Sequence, residues 1–319
     1  MTATFNRSLR SLAAATCALA VLSGAAIAQD NKLIGAALAD QKSLFYIAAG
    51  DGMKAAAEEA GLTLNLVSAN NNANEQVNQI DNLLVQQPGA LLFISQDSTA
   101  AAAGVKAANA AGVPVIAVDQ RPESGAGKIV TFIATDSVKA ARDLCTWMFG
   151  QMGGEGKIAI LKGVPGSTAE VQRSQGCDEA LAANPKIEVV ATQTANWDEN
   201  KAFIATQNIL TANPDLKAVF AESDAMALGA AKAARQSGRD DMISVGIDGF
   251  PTMLKAIKEG LVQATMAQIP YQMGKMAVAD AIKVMNGEGA SIPVSPNLQP
   301  VVIGIAIIIA VMLDRQSKH

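Results

Sequence analysis

The sequence contains a single histidine, His319, at its very end. That excludes Ser-His-Asp and Cys-His catalysis, HExxH zinc sites and histidine proton shuttles from the body of the fold. Charged residues make up only 17% of the chain, and acids outnumber bases 29 to 25. Beyond the first 28 residues, whose charges are Arg7 and Arg10 alone, 23 basic residues face 29 acidic ones, a net charge of −6. Phosphate neutralisation needs clustered Lys and Arg, so nucleic acid is not an expected partner. There is no P-loop ending, no GxGxxG after the first strand and no GxSxG elbow, which removes nucleotide hydrolysis, the common dinucleotide site and the hydrolase nucleophile. Neither paired strand-end carboxylates for glycoside hydrolysis nor EF-hand spacing is found. The chain is expected not to be an enzyme and to carry no cofactor and no metal.

What is present is apolar and alternating. Half of the 319 residues are hydrophobic, enough for two domains of ordinary size. Ten short runs read as strands: 33–38, 63–68, 90–95, 113–119, 129–134, 157–162, 187–192, 217–222, 242–248 and 263–268. Their near-continuous apolar character suits parallel strands covered on both faces. Alanine-rich amphipathic segments separate them; Val77, Ile80, Leu83 and Leu84 share one helical face. Ten alternations exceed one open sheet, so the expected fold is α/β, with two doubly wound parallel-sheet lobes and a cleft outside the carboxyl ends of their strands.

The ends differ in texture. Arg7 and Arg10 precede a short apolar run, and Ala26-Ile27-Ala28 has small residues where a signal peptidase needs them. Residues 1–28 are expected to be a signal peptide cut after Ala28; a membrane anchor is the competing reading. Cys145 and Cys177 then remain, either as a disulfide of an oxidising compartment or as two buried thiols on helices. Residues 301–313 form an unbroken apolar run, too short for a helix to cross a bilayer of about 30 Å. A buried strand or a short hydrophobic helix would each accommodate it.

Gly163-Val164-Pro165-Gly166-Ser167-Thr168 follows a strand and opens a helix, so its backbone N–H groups are a candidate anion cradle. More informative is where the polar and scarce aromatic residues fall. Asp119, Asp248 and Gln268 end apolar strands, Phe45-Tyr46 follows the first strand, and Trp197 follows the 187–192 run. Carboxylates and arginines hydrogen-bond vicinal hydroxyls with charge assistance, and ring faces pack on sugar C–H surfaces. Together they suit a polyhydroxylated ligand, although singly each also reads as a cap or a core residue.

Several stretches, in order, resemble one family: Ser95-Gln96-Asp97-Ser98, Val115-Ile116-Ala117-Val118-Asp119, Gly166-Ser167-Thr168 with Arg173-Ser174-Gln175-Gly176, Asn213-Pro214-Asp215 with Ala218-Val219-Phe220-Ala221, Asp224-Ala225-Met226-Ala227-Leu228-Gly229-Ala230, Val245-Gly246-Ile247-Asp248-Gly249 and Ala264-Thr265-Met266-Ala267-Gln268. Over residues 31–298 the chain resembles the periplasmic ribose-binding proteins, type I sugar-binding proteins of bacterial ABC importers. The resemblance implies a periplasmic monomer whose lobes, joined by three crossings, close by a hinge on a monosaccharide or sugar alcohol and deliver it to ABC permease subunits. A ligand-presenting receptor for chemotaxis or sugar sensing is the alternative. A transcription regulator of the same fold would need a helix-turn-helix and a basic face.

The implied domains are residues 29–135 with 269–295, and 136–268 with 296–300. Position by position, the implied ligand-binding residues are Ser43, Phe45, Tyr46, Asp119, Gln120, Arg173, Trp197, Ser223, Asp248 and Gln268. Three depart from the ribose pattern: Ser43 and Ser223 replace asparagines, and Gln120 replaces an arginine. Losing a guanidinium and two amides points away from ribose to another pentose, a hexose or a polyol. Residues 301–319 depart altogether and resemble the end of a sugar-permease subunit.

Overall fold

The apolar runs become strands because both of their faces are covered. In the computed structural model, which describes residues 32–96, 101–121, 125, 127–289 and the backbone of 308–310, chain order begins with β1 (Leu33–Leu38), α1 (Leu44–Glu59), β2 (Thr63–Ser68) and α2 (Ala73–Val85). Then follow β3 (Ala90–Phe93), α3 (Ala101–Ala110), β4 (Val115–Val118) and β5 (Thr131–Ile133). These five strands form one parallel sheet in the order β2-β1-β3-β4-β5. β3 and β4 are buried at every position, as strands covered on both faces must be.

The chain continues with α4 (Ser137–Gln151), β6 (Gly156–Lys162), α5 (Thr168–Ala182), β7 (Ile187–Thr194), α6 (Glu199–Ala212) and β8 (Ala218–Ala221). After these come α7 (Asp224–Gln236), β9 (Ile243–Asp248), α8 (Pro251–Lys258), β10 (Ala264–Ala267), α9 (Pro270–Met285) and β11 (Ile308–Ala310). A second parallel sheet runs β10-β9-β8-β6-β7, with β11 antiparallel on its β10 edge. All ten strand expectations coincide with observed strands. Of the apolar end, the three residues of β11 are in a strand; the rest of 301–319 and the expected signal peptide lie outside the described residues.

Side-chain caps start several of the helices, while α8 and α9 begin with Pro251 and Pro270. Asn72, Asp136, Ser167 and Asp198 each accept a hydrogen bond from the backbone N–H three residues on, satisfying donors that the helix itself leaves free. α1 and α9 pack together on one face of the first sheet, with α2 and α3 on the other. A Cβ on Gly52 would stand 2.0 Å from the Tyr271 carbonyl oxygen, and one on Gly274 2.1 Å from that of Ala49, so glycine alone allows this contact. In the second lobe α4 and α5 cover one face and α6, α7 and α8 the other. Cys145 of α4 and Cys177 of α5 form a disulfide with Cα atoms 5.5 Å apart, which resolves the choice the sequence left open. The chain passes between the lobes after β5 and again after β10. Among the described residues no helix is long and apolar enough to cross a membrane.

Candidate functional site

In both sheets the strand order reverses beside the first strand, and doubly wound folds hold ligands in the crevice at such a point. A cavity of about 690 Å³ opens there between the lobes. All ten residues singled out from the sequence line it: Ser43, Phe45, Tyr46, Asp119, Gln120, Arg173, Trp197, Ser223, Asp248 and Gln268.

Each wall is built locally. On the first lobe Ser43 caps α1 by accepting from the Phe45 N–H at 3.3 Å, which projects Phe45 and Tyr46 from the first turn. The two rings meet edge to face, centroids 5.5 Å apart. Asp119 directly follows β4 with φ +58°, and the Gln120 N–H reaches back to the Val118 carbonyl at 2.6 Å. This tight turn places a non-glycine residue in the left-handed region, a strain found mostly at functional sites. The Gln120 amide donates to Asp119 Oδ2 at 3.2 Å. Burial pushes the Asp119 carboxyl up to about 6, against the opposing pull of Arg173.

On the second lobe Arg173 of α5 is 3% exposed. Its Nη1 donates to the Glu222 carbonyl, its Nη2 stands 3.9 Å from Asp248 Oδ1, and its guanidinium lies over the Trp197 ring at 5.5 Å. Trp197 also has left-handed backbone, with φ +64°. Its six-membered ring rests on Gly163, where a Cβ would stand 1.9 Å from the ring. Asp248 ends β9 and accepts from the Gln268 amide at 2.8 Å. Ser223 caps α7, accepting from the Met226 N–H at 3.4 Å. Both serines that replace asparagines are therefore helix caps as well as cavity lining.

Sequence reasoning missed three acids. Asp40 lines the cavity and is buried. Asp224 lines it too, accepting from the backbone N–H groups of Gly249 and Phe250 at 2.7 and 3.0 Å and from the Thr265 hydroxyl at 2.6 Å. Burial raises both Asp224 and Asp248, and the charge of Asp248 adds to the rise at Asp224. Glu222 sits behind Arg173, fully buried, accepting from the Gly163 N–H at 2.8 Å and the Ser174 hydroxyl at 2.7 Å; burial pushes it up to about 7. Its contacts correct one expectation. The Gly163–Thr168 turn is not an open anion cradle, because Glu222 takes the Gly163 N–H and Glu170 takes that of Gly166 at 3.1 Å.

The lobes touch directly. Across the cleft the Arg121 N–H donates to the Thr168 hydroxyl at 2.9 Å, and that hydroxyl donates to the Arg121 carbonyl at 3.3 Å. Phe250, from the β9 end of the second lobe, packs on the core of the first. These contacts join the two walls on either side of the cavity. Four buried side-chain atoms of the lining have no protein partner: Asp40 Oδ1, Gln120 Oε1, Arg173 Nε and Gln268 Oε1. Buried polar atoms are nearly always satisfied, so a set of them around one cavity marks a place prepared for a polar guest. Among the described residues no group of three His, Cys, Asp or Glu side chains could hold a metal.

Comparison with known proteins fits this geometry. The ribose import binding protein RbsB of Salmonella typhimurium is 35% identical over 282 residues, 88% of this chain and 94% of its own. The D-apiose import binding protein of Actinobacillus succinogenes is 32% identical over 276 residues, 86% and 89% of the two chains. The crystal structure of a Caulobacter myo-inositol binding protein bound to myo-inositol superposes with a TM-score of 0.81 at 26% identity, covering 89% of this chain and 94% of that one. The family model of the periplasmic binding protein domain matches residues 26–289. The chain therefore belongs to the periplasmic binding proteins, as a ribose-binding-like member with the type I fold.

Proposed function

We propose that this protein captures a monosaccharide or sugar alcohol in the inter-lobe cavity and delivers it to an ABC permease from the periplasm, after export through its N-terminal signal peptide. It works as a monomer and performs no covalent chemistry. The observation that carries the reading is that four residues lining one cavity, Asp40, Gln120, Arg173 and Gln268, each hold a buried polar atom without a partner, and that Phe45, Tyr46 and Trp197 line the same cavity. A polyol offers hydroxyls to the former and C–H faces to the latter. The names of its relatives, import binding proteins for ribose and D-apiose and a myo-inositol binding protein, support the same ligand class.

The mechanism is ligand-stabilised closure. In the open form the lobes separate and the cavity is wet. A guest that touches both walls favours the closed form by the difference between its affinities for the two. Closure excludes water and strengthens each hydrogen bond made inside. The permease then reads the closed outline. A thermal-shift screen with pentoses, hexoses and sugar alcohols tests this. Millimolar ligand at a micromolar site adds about 4 kcal/mol by linkage. Absence of any shift across all three groups and their amino derivatives would reject the reading.

A further inference from the structure

The lining is unbalanced in charge and in hydrogen bonding. Its buried ionisable groups are the carboxylates Asp40, Asp119, Asp224 and Asp248, against one cation, Arg173. The charges of Asp119, Arg173, Asp248 and Asp40 all act on the Tyr46 hydroxyl, so they converge on one region of the cavity. Of the exposed cations at the rim, Lys232 is paired with Glu199 and Lys255 with Glu259, which leaves Lys42 alone against four buried carboxylates. Arg173 already gives Nη1 to the main-chain carbonyl of Glu222 and faces Asp248 with Nη2.

The unpartnered atoms are skewed in the same direction. Gln120 and Gln268 must each turn the NH₂ group to a carboxylate, Asp119 and Asp248, because a carboxylate only accepts. Their free ends are therefore carbonyl oxygens. With Asp40 Oδ1 that makes three acceptors and, in Arg173 Nε, one donor. A neutral hydroxyl satisfies an acceptor but brings lone pairs that need donors of their own. An ammonium brings three donors, no acceptor and a compensating charge.

We infer that the guest is a cationic polyol, an amino sugar or amino alditol whose ammonium is held by Asp40 together with the Asp119–Gln120 pair. This rests on the cavity being the polyol site proposed above. The test is titration calorimetry on the full protein at pH 7.4 with matched pairs: glucose and glucosamine, galactose and galactosamine, sorbitol and 1-amino-1-deoxysorbitol. At least one amino compound is expected to bind about tenfold or more tightly than its neutral partner. Its N-acetyl form should lose that advantage, and Asp40→Asn, with unchanged folded spectra, should abolish it. Equal or tighter binding of the neutral member in every pair overturns this inference and leaves the polyol site intact. No binding by either member of any pair, or by further neutral pentoses and alditols, overturns both.

Discussion

Replacing Gly163 by alanine should disable the Trp197 wall without touching the tryptophan. The new Cβ would stand 1.9, 2.0 and 2.3 Å from ring atoms of Trp197, whereas carbon atoms rest about 3.5–4.0 Å apart. The ring must retreat by about 1.5 Å or more. It has little freedom to do so, since its own backbone is left-handed and Arg173 covers it. Gly163 is not among the glycines with positive φ, so alanine suits its backbone and the effect is steric alone. Overpacking of this kind costs about 1–3 kcal/mol of stability. Loss of the ring face and its guanidinium stack should cost a further 1–2 kcal/mol or so of binding, about 5- to 30-fold. Urea denaturation and calorimetry read the two, and Trp197 emission reports the displacement against a Trp147 background. A double-mutant cycle isolates the cause: once Trp197→Ala has removed the ring, adding Gly163→Ala should cost little more. An undiminished second step, or a single variant with native affinity and emission, would refute the reasoning.

Alanine at Asp119, Arg173 or Asp248 should each cost at least ~2 kcal/mol of ligand affinity by calorimetry, since each change strands charged or polar partners in a closed cleft. Removing the Cys145–Cys177 bridge by a double serine substitution should cost about 3–4 kcal/mol in denaturant titration, from a crosslink spanning 32 residues. pH should act in opposite directions on stability and binding. Asp119 near 6 and Glu222 near 7 hold protons in the folded state at pH values where the unfolded chain has released them. The ligand-free protein should therefore melt higher as pH falls from about 7 to 5, while affinity drops as the acceptor Asp119 becomes protonated; a melting temperature that falls over this range would contradict the burial argument. Thr168→Val removes the hydroxyl that bonds Arg121 across the cleft. It should weaken ligand binding by about 0.5–1.5 kcal/mol and broaden the small-angle scattering profile of the liganded form.

Strands were legible because burial on two faces demands an unbroken apolar run, and that demand is written locally. The strand-end positions of Asp119, Asp248 and Gln268 were legible for the same reason: a polar residue terminating such a run stands out. Asp224 did not stand out. At the start of α7 it looks like any acid that favours a helix N-terminus, and only tertiary structure brings Gly249, Phe250 and Thr265 to it. Glu222 similarly follows β8 as an ordinary polar residue, yet it fills the turn at Gly163 that otherwise resembled an anion site. Asp40 follows β1 by two residues, and nothing local shows that its Oδ1 is left without a partner. The disulfide depended on how closely α4 and α5 pack, which two cysteines alone do not encode.

Each wall of the cavity is held together from its own side. Gln120 is bonded to Asp119 within the first lobe; Gln268, Arg173 and Trp197 are tied around Asp248 within the second. Neither wall waits for the guest to acquire its shape. Capture and retention are consequently separate kinetic problems. The arriving molecule settles first on one finished surface, at a rate set by diffusion into an open mouth. How long it stays is then governed by how often the two surfaces part, so changes at the Arg121–Thr168 contact should alter residence time and leave the association rate almost unchanged.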